Sequence, residues 1–151
     1  IAIIRSLSLK NNHREYFFLT MTQLVACLSK SHYYQEARDF AERIRVNRGV
    51  LEKYKSEISD SSLQGASDKN CTKEACTADE MADFDVAELS AYAVQYGMTL
   101  GMSACPSTNG RQCLFVAWGN TVASSSTSNT NSCVSGNAYR TSSTCVMMEV
   151  Y

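Results

Sequence analysis

From Thr22 to Arg48 the chain runs without a proline or a glycine, and apolar side chains return at three- and four-residue steps: Tyr33, Ala37, Phe40, Ala41 and Ile44. Those steps line up as one stripe on an α-helix, with Leu51 two turns further along. Glu36, Arg38, Asp39, Glu42, Arg43 and Arg45 fill the opposite face, where Asp39 and Arg43 are spaced for an i,i+4 ion pair. The pattern predicts a long amphipathic helix over about 22–48 that buries its stripe. It ends near Asn47 to Gly49, with Gly49 as a candidate C-terminal cap, or runs on to Ile58.

Ser59 to Asn70 is small and polar, a loop. Thr77-Ala-Asp-Glu80 then has the form of a capping box, in which Thr77 and Glu80 satisfy each other's backbone donors. Met81, Phe84, Leu89 and Tyr92 follow on roughly one face and predict a short helix over about 78–92, or as far as Tyr96. After that the period changes to two. Leu114, Val116 and Trp118 alternate with Cys113, Phe115 and Ala117, and Val146, Met148 and Val150 alternate with Met147, Glu149 and Tyr151. Strands are expected over 99–105, 113–119 and 145–151. The stretch 120–131 is Ser, Thr and Asn with Val122 as its one sizeable apolar residue, which predicts a long exposed loop. Helices first and antiparallel strands after give an α+β fold.

Composition adds a compartment. Of seven cysteines, six lie between Cys71 and Cys145 as three close pairs: Cys71 with Cys76, Cys105 with Cys113, Cys133 with Cys145. Such use of cysteine fits a disulfide-stapled protein of the periplasm, the cell surface or the medium. The spacings are not those of a zinc knuckle, and His13 and His32 are far away in sequence, so no metal is expected. Sequence alone does not fix which six cysteines pair or how. Nearest-neighbour pairing with Cys27 left over is the simplest expectation, each short loop contributing roughly 2–3 kcal/mol. Cys27 itself is a small buried hydrophobe, an intermolecular contact or the sign of a missing neighbour.

A net charge of −1 argues against a protein that works mainly by charge on nucleic acid or an anionic membrane. There is no apolar run long enough to span a bilayer, and Ile1 to Ile4 and Tyr16 to Leu19 are interrupted by charges. A disulfide-bearing protein must be exported, so the native precursor is expected to carry an export segment ahead of this sequence. No catalytic signature stands out: Gly97-x3-Gly101 is not a phosphate loop, and there is no G-x-S-x-G elbow. Asp83 and Asp85 flank Phe84 and read as solvated helix residues. His32 reads as a lone surface histidine and His13 as a residue without a role. Asn70-Cys71-Thr72 fits the glycosylation pattern, which is discounted because it matters only in a eukaryotic secretory route. Trp118 and Tyr92 are expected to pack against the core or sheet instead of serving a ligand.

Phe40-Ala-Glu-Arg-Ile-Arg-Val-Asn-Arg48 resembles the M-A-E-R-I-R-A-N-R segment at the end of the long helix in PilV-type minor pilins of the bacterial type IV pilus. Three further blocks agree in order. They are the Cys71 and Cys76 pair with Thr77-Ala-Asp-Glu-Met-Ala-Asp-Phe-Asp85, then Cys105-Pro-Ser-Thr-Asn-Gly-Arg-Gln-Cys113 with Leu114-Phe-Val-Ala-Trp-Gly119, and last Cys145-Val-Met-Met-Glu-Val-Tyr151. The resemblance covers 21–151, read as a single pilin-like domain. Residues 1–20 stand outside it: the family begins with an apolar run carrying one glutamate, whereas this chain has Arg5, Lys10 and Arg14.

The resemblance implies a structural protein with no catalytic residue, cofactor or small-molecule substrate. Its partners would be other minor pilins and the pilus filament, with nucleic acid not expected among its ligands. It would prime pilus assembly and sit at the tip. The native form would be anchored in the inner membrane by an N-terminal helix, facing the periplasm, before joining the extracellular pilus. The competing readings are a tip or secreted binding module for a surface or DNA, and a small secreted enzyme without a visible nucleophile and base.

Overall fold

The stripe-and-charge pattern of the front half folds into a helix, α1, over residues 31–46. The computed structural model describes residues 31–106 and 110–150. The expected helix start near 22, the segment 1–20, His13, Cys27 and Tyr151 lie outside the described residues. The chain divides into a unit of residues 1–34 and a unit of residues 35–151. In the first, Tyr33 is half-buried, its ring 6.0 Å from that of His32. In the second, Ala37, Phe40, Ala41 and Ile44 are buried, and Arg43 reaches Asp39 at 3.2 Å across one turn.

α1 ends at Asn47, within the expected Asn47 to Gly49, and does not run straight on to Ile58. The helix breaks at Asn47 (φ −104°, ψ 32°), makes one 3-10 turn over Arg48–Val50, and a second helix, α2, follows over Leu51–Ser59. Gly49 is not in the left-handed region, so it is no cap of the expected kind. The break coincides with a contact distant in sequence. The Asn47 side chain donates to the carbonyl of Ala78 at 2.8 Å, and the change of direction turns Tyr54 and Ile58 inward. The Tyr54 ring then meets Phe40 edge-on, centroids 6.5 Å apart.

The third helix, α3, spans Ala78–Gln95 and starts with both bonds of the capping box, Glu80 N–H to Thr77 Oγ1 at 3.3 Å and Thr77 N–H to Glu80 Oε2 at 2.7 Å. It outlasts the expected 78–92 and stops where Gly97 takes φ +67°. Its buried face also differs from expectation. Ala82, Asp85, Val86, Leu89, Ser90 and Ala93 face inward, whereas Met81, Phe84 and Tyr92 are only half-buried. Small side chains let α3 lie close on its neighbours α2 and the first strand. Of the four large residues expected on that face, Leu89 is buried and the other three are not.

Three strands, β1 (Met98–Ala104), β2 (Gln112–Trp118) and one at the end of the chain, β6 (Cys145–Glu149), form an antiparallel sheet in the order β1-β2-β6. Leu100 pairs with Val116 and Met102 with Leu114, so these residues share one face with Met98. Met98, Leu100 and Val116 lie together with Phe40 of α1 and with Leu89 and Ala93 of α3. The other face carries Cys113 and Phe115.

That second face is covered by a layer the sequence pattern did not predict. Within the expected loop 120–131, β3 (Val122–Ser125) pairs in parallel with β4 (Ser132–Ser135), which pairs antiparallel with β5 (Ala138–Tyr139). β3 is half-solvated and held by backbone pairing, so it lacks the apolar alternation that marks a strand. Cys105, Cys113, Phe115, Cys133 and Val134 form a cluster between the layers, with Ala123, Cys145 and Met147 against it. The crossing is close. A Cβ on Gly101 of β1 would stand 3.0 Å from the Ala123 carbonyl carbon and closer still to its oxygen. Only glycine fits there.

Candidate functional site

Two features of the described chain go beyond ordinary packing: the junction of the three helices, and the disulfide-tied end of the two sheets. At the junction the Arg43 guanidinium contacts three carboxylates. Nε donates to Asp39 Oδ2 at 3.2 Å, and Nη1 donates to Asp85 Oδ1 at 3.1 Å and Glu88 Oε2 at 2.6 Å. From the other side the Tyr54 hydroxyl donates to Asp85 Oδ2 at 2.6 Å. Asp85, expected to be solvated, is 5% exposed. Burial of a carboxylate is tolerated only where its oxygens are satisfied, and here both have donors. Asp83 keeps a surface role, accepting from the backbone N–H of Asp68 at 2.9 Å.

Burial first, and then the bond to Asp85, push the Tyr54 hydroxyl well above the usual tyrosine range. For Arg43, burial alone would lower the value, but hydrogen bonds to Glu88 and Asp85 outweigh it and the direction is upward. Both shifts hold these groups in the form they already have at neutral pH. The junction is therefore a tether between α1, α2 and α3, without a group poised to exchange protons.

The tether explains the string from Phe40 to Arg48 physically. Phe40 and Ile44 fill the core, Arg43 grips α3, and Asn47 reaches the first residue of α3 while lying 3.4 Å from the Tyr54 hydroxyl. In sequence Arg43 is recognisable as the i,i+4 partner of Asp39, whereas its grip on Asp85 emerges only in the fold. Tyr54 was missed altogether. A tyrosine three residues after Leu51, continuing the stripe into a second helix, was the available signal.

The bridges join Cys71 to Cys76, Cys105 to Cys113 and Cys133 to Cys145. The first lies directly ahead of the α3 cap Thr77. The second closes the β1–β2 connection, where Cys105 N–H donates to the Arg111 carbonyl at 2.8 Å. The third joins β4 of one sheet to β6 of the other. Trp118 is half-buried at the end of β2 and borders a polar cleft. Tyr92 is half-buried beside Tyr96, ring centroids 4.6 Å apart. Exposed apolar side chains include Val46 on α1 and Val94 on α3. Among the described residues no cluster of three or more His, Cys, Asp or Glu could hold a metal, and no helix is long and apolar enough to cross a membrane.

Residues 23–87 match the family model described as Tt1218-like, type IV pilin Tt1218. No curated protein and no solved structure matches the chain. The matched segment takes in described α1, α2, the first disulfide loop and the start of α3 through Ala87, and so contains Arg43, Tyr54 and Asp85. The match supports a type IV pilin. Type IV pilins are structural proteins that assemble with other pilins into an extracellular pilus, and the α+β architecture with its antiparallel sheet and three bridges is consistent with a pilin-like head.

Proposed function

We propose that this chain is a PilV-type minor pilin that joins other minor pilins to prime assembly of a type IV pilus and sits at the pilus tip. Before assembly the native form is anchored in the inner membrane by an N-terminal helix, with its head in the periplasm. The observation that carries the reading is the junction at Arg43. It locks the segment resembling the minor-pilin helix end, Phe40 to Arg48, onto the second resembling block, Thr77 to Asp85, through Asp85 and the Ala78 carbonyl. Two motifs that agree with the family in sequence thus also act together in the fold.

A protein that primes by association must bind its neighbours as a purified head. Mixing this chain with the heads of the other minor pilins of the same pilus, followed by size-exclusion chromatography with light scattering, should give a complex of fixed stoichiometry. Elution as an uncomplexed species in every combination would count against priming through the head.

A further inference from the structure

The three bridges sit in two different environments. Cys105, Cys113 and Cys133 are buried, and Cys145 packs against them in the cluster between the two sheets. An attacking thiolate reaches those sulfurs only when the layers part. Cys71 and Cys76 lie outside that cluster and are half-buried, and the four residues between them, Thr72 to Ala75, are all exposed. Accessible bridges are the labile ones, because exchange requires direct attack on sulfur.

The first bridge is also the one whose surroundings hold without it. Ahead of Cys71, Asp68 N–H donates to Asp83 Oδ2 at 2.9 Å, and Lys69 Nζ lies 3.3 Å from both Glu80 oxygens, so the loop is already pinned to α3. Asn70 shapes the turn. Its Oδ1 accepts from Thr72 N–H and the Thr72 hydroxyl, and its carbonyl accepts from Lys73 N–H. After Cys76, the α3 cap is made by Thr77 and Glu80. None of these bonds uses sulfur. By contrast, the other two bridges tie β1 to β2 and one sheet to the other.

The two sulfurs are not equivalent. Cys76 stands immediately ahead of the cap of the 18-residue helix α3, where the helix N-terminus favours a thiolate. Cys71 Sγ lies 3.7 Å from the Glu80 carbonyl oxygen, an acceptor that favours the protonated thiol. The lower-pKa sulfur is the better leaving group.

We propose that Cys71–Cys76 is a thiol–disulfide exchange site, opened in the folded protein by a C-x-x-C dithiol protein. The partner's thiolate attacks Cys71 Sγ and forms a mixed disulfide. The Cys71–Cys76 bond breaks, and its electron pair leaves on Cys76 as a thiolate that takes a proton from water. The partner's second thiolate then displaces Cys71, which is protonated in turn. The bridge gains two electrons and two protons, and the partner's dithiol becomes a disulfide. The proposal does not rest on the pilus reading, because it concerns chemistry within the isolated head.

The test begins with the full chain, bridges intact and free thiols blocked. It is titrated with dithiothreitol, and each newly released thiol is alkylated and mapped by mass spectrometry. Cys71 and Cys76 should be labelled at a reductant concentration about tenfold or more below that needed for the other two bridges. The near-ultraviolet circular dichroism of the aromatic side chains should persist at that point. Incubation with thioredoxin whose second active-site cysteine is replaced by Ala should trap a mixed disulfide on Cys71. Release of all three bridges together, or loss of the aromatic signal along with the first, would overturn the site. Failure to trap thioredoxin, or trapping on a cysteine of another bridge, would overturn the dithiol partner. Trapping on Cys76 would overturn the order of attack.

Discussion

Replacing Tyr54 by Phe removes one oxygen from the interior and nothing else. The ring stays, so its edge contact with Phe40 survives and no cavity opens. What disappears is the 2.6 Å bond to Asp85 Oδ2, together with the long 3.4 Å bond that the hydroxyl accepts from Asn47. Asp85, 5% exposed, then keeps only the 3.1 Å bond from Arg43 on its other oxygen. Hydrogen bonds to charged groups contribute about 1.5–3 kcal/mol, so Tyr54→Phe should cost about 2 kcal/mol. For a unit of this size that lowers the thermal midpoint by roughly 5–10 °C. Circular dichroism melts of the parent, Tyr54→Phe, Asp85→Asn and the double variant give both the loss and the coupling between the two residues, expected at about 1–2 kcal/mol.

The same bond sets an alkaline limit. Tyr54 ionises in the fold well above its ordinary 10.0, mainly through burial and then through Asp85. A folded value raised above the unfolded one contributes stability that is fully present below about pH 10 and is lost as pH rises toward the folded value. The parent should therefore lose stability above pH 10 more steeply than Tyr54→Phe. Midpoints within about 1 °C at pH 7, additive single variants, or identical alkaline profiles would refute the tether.

Phe40→Ala should cost about 3–5 kcal/mol, because the residue is 1% exposed between α1 and Tyr54; an unchanged midpoint would show that α1 is not packed there. Gly101→Ala should cost about 1–3 kcal/mol by forcing β3 off β1, and parent-like urea stability would mean the two strands do not cross at that point. Thr77→Ala should cost about 1 kcal/mol by removing the α3 cap. Separately, the backbone N–H of Thr77 holds the Glu80 carboxyl below its ordinary 4.5, so the support that the Glu80 carboxylate gives the box is present above about pH 4.5 and fades as pH falls. Glu80→Gln should then flatten part of the acid limb of the stability profile, and an unaltered limb would argue against the capping box.

Much of the fold was legible because its signals are local. The stripe through Ala37, Phe40 and Ile44, the Thr77–Glu80 box and the alternation about Leu114 to Trp118 each depend on neighbours within a few residues. What escaped depends on contacts distant in sequence. Asp85 looks solvated until Tyr54 and Arg43 are placed beside it, 31 and 42 residues away. β3 looks like loop because its partner β4 supplies backbone bonds that no side-chain pattern records. Gly49 looked like a cap, yet the helix ends at Asn47, whose side chain reaches Ala78.

The central claim, that this chain primes pilus assembly, is tested most directly by counting surface pili in a deletion strain with retraction intact and again with retraction disabled. A priming component raises the rate of initiation, so its loss matters most when retraction outruns assembly. The account predicts few pili in the single deletion and recovery toward the parental number when retraction is removed. A deletion strain with a normal number of pili that fails only to attach to one surface would contradict it.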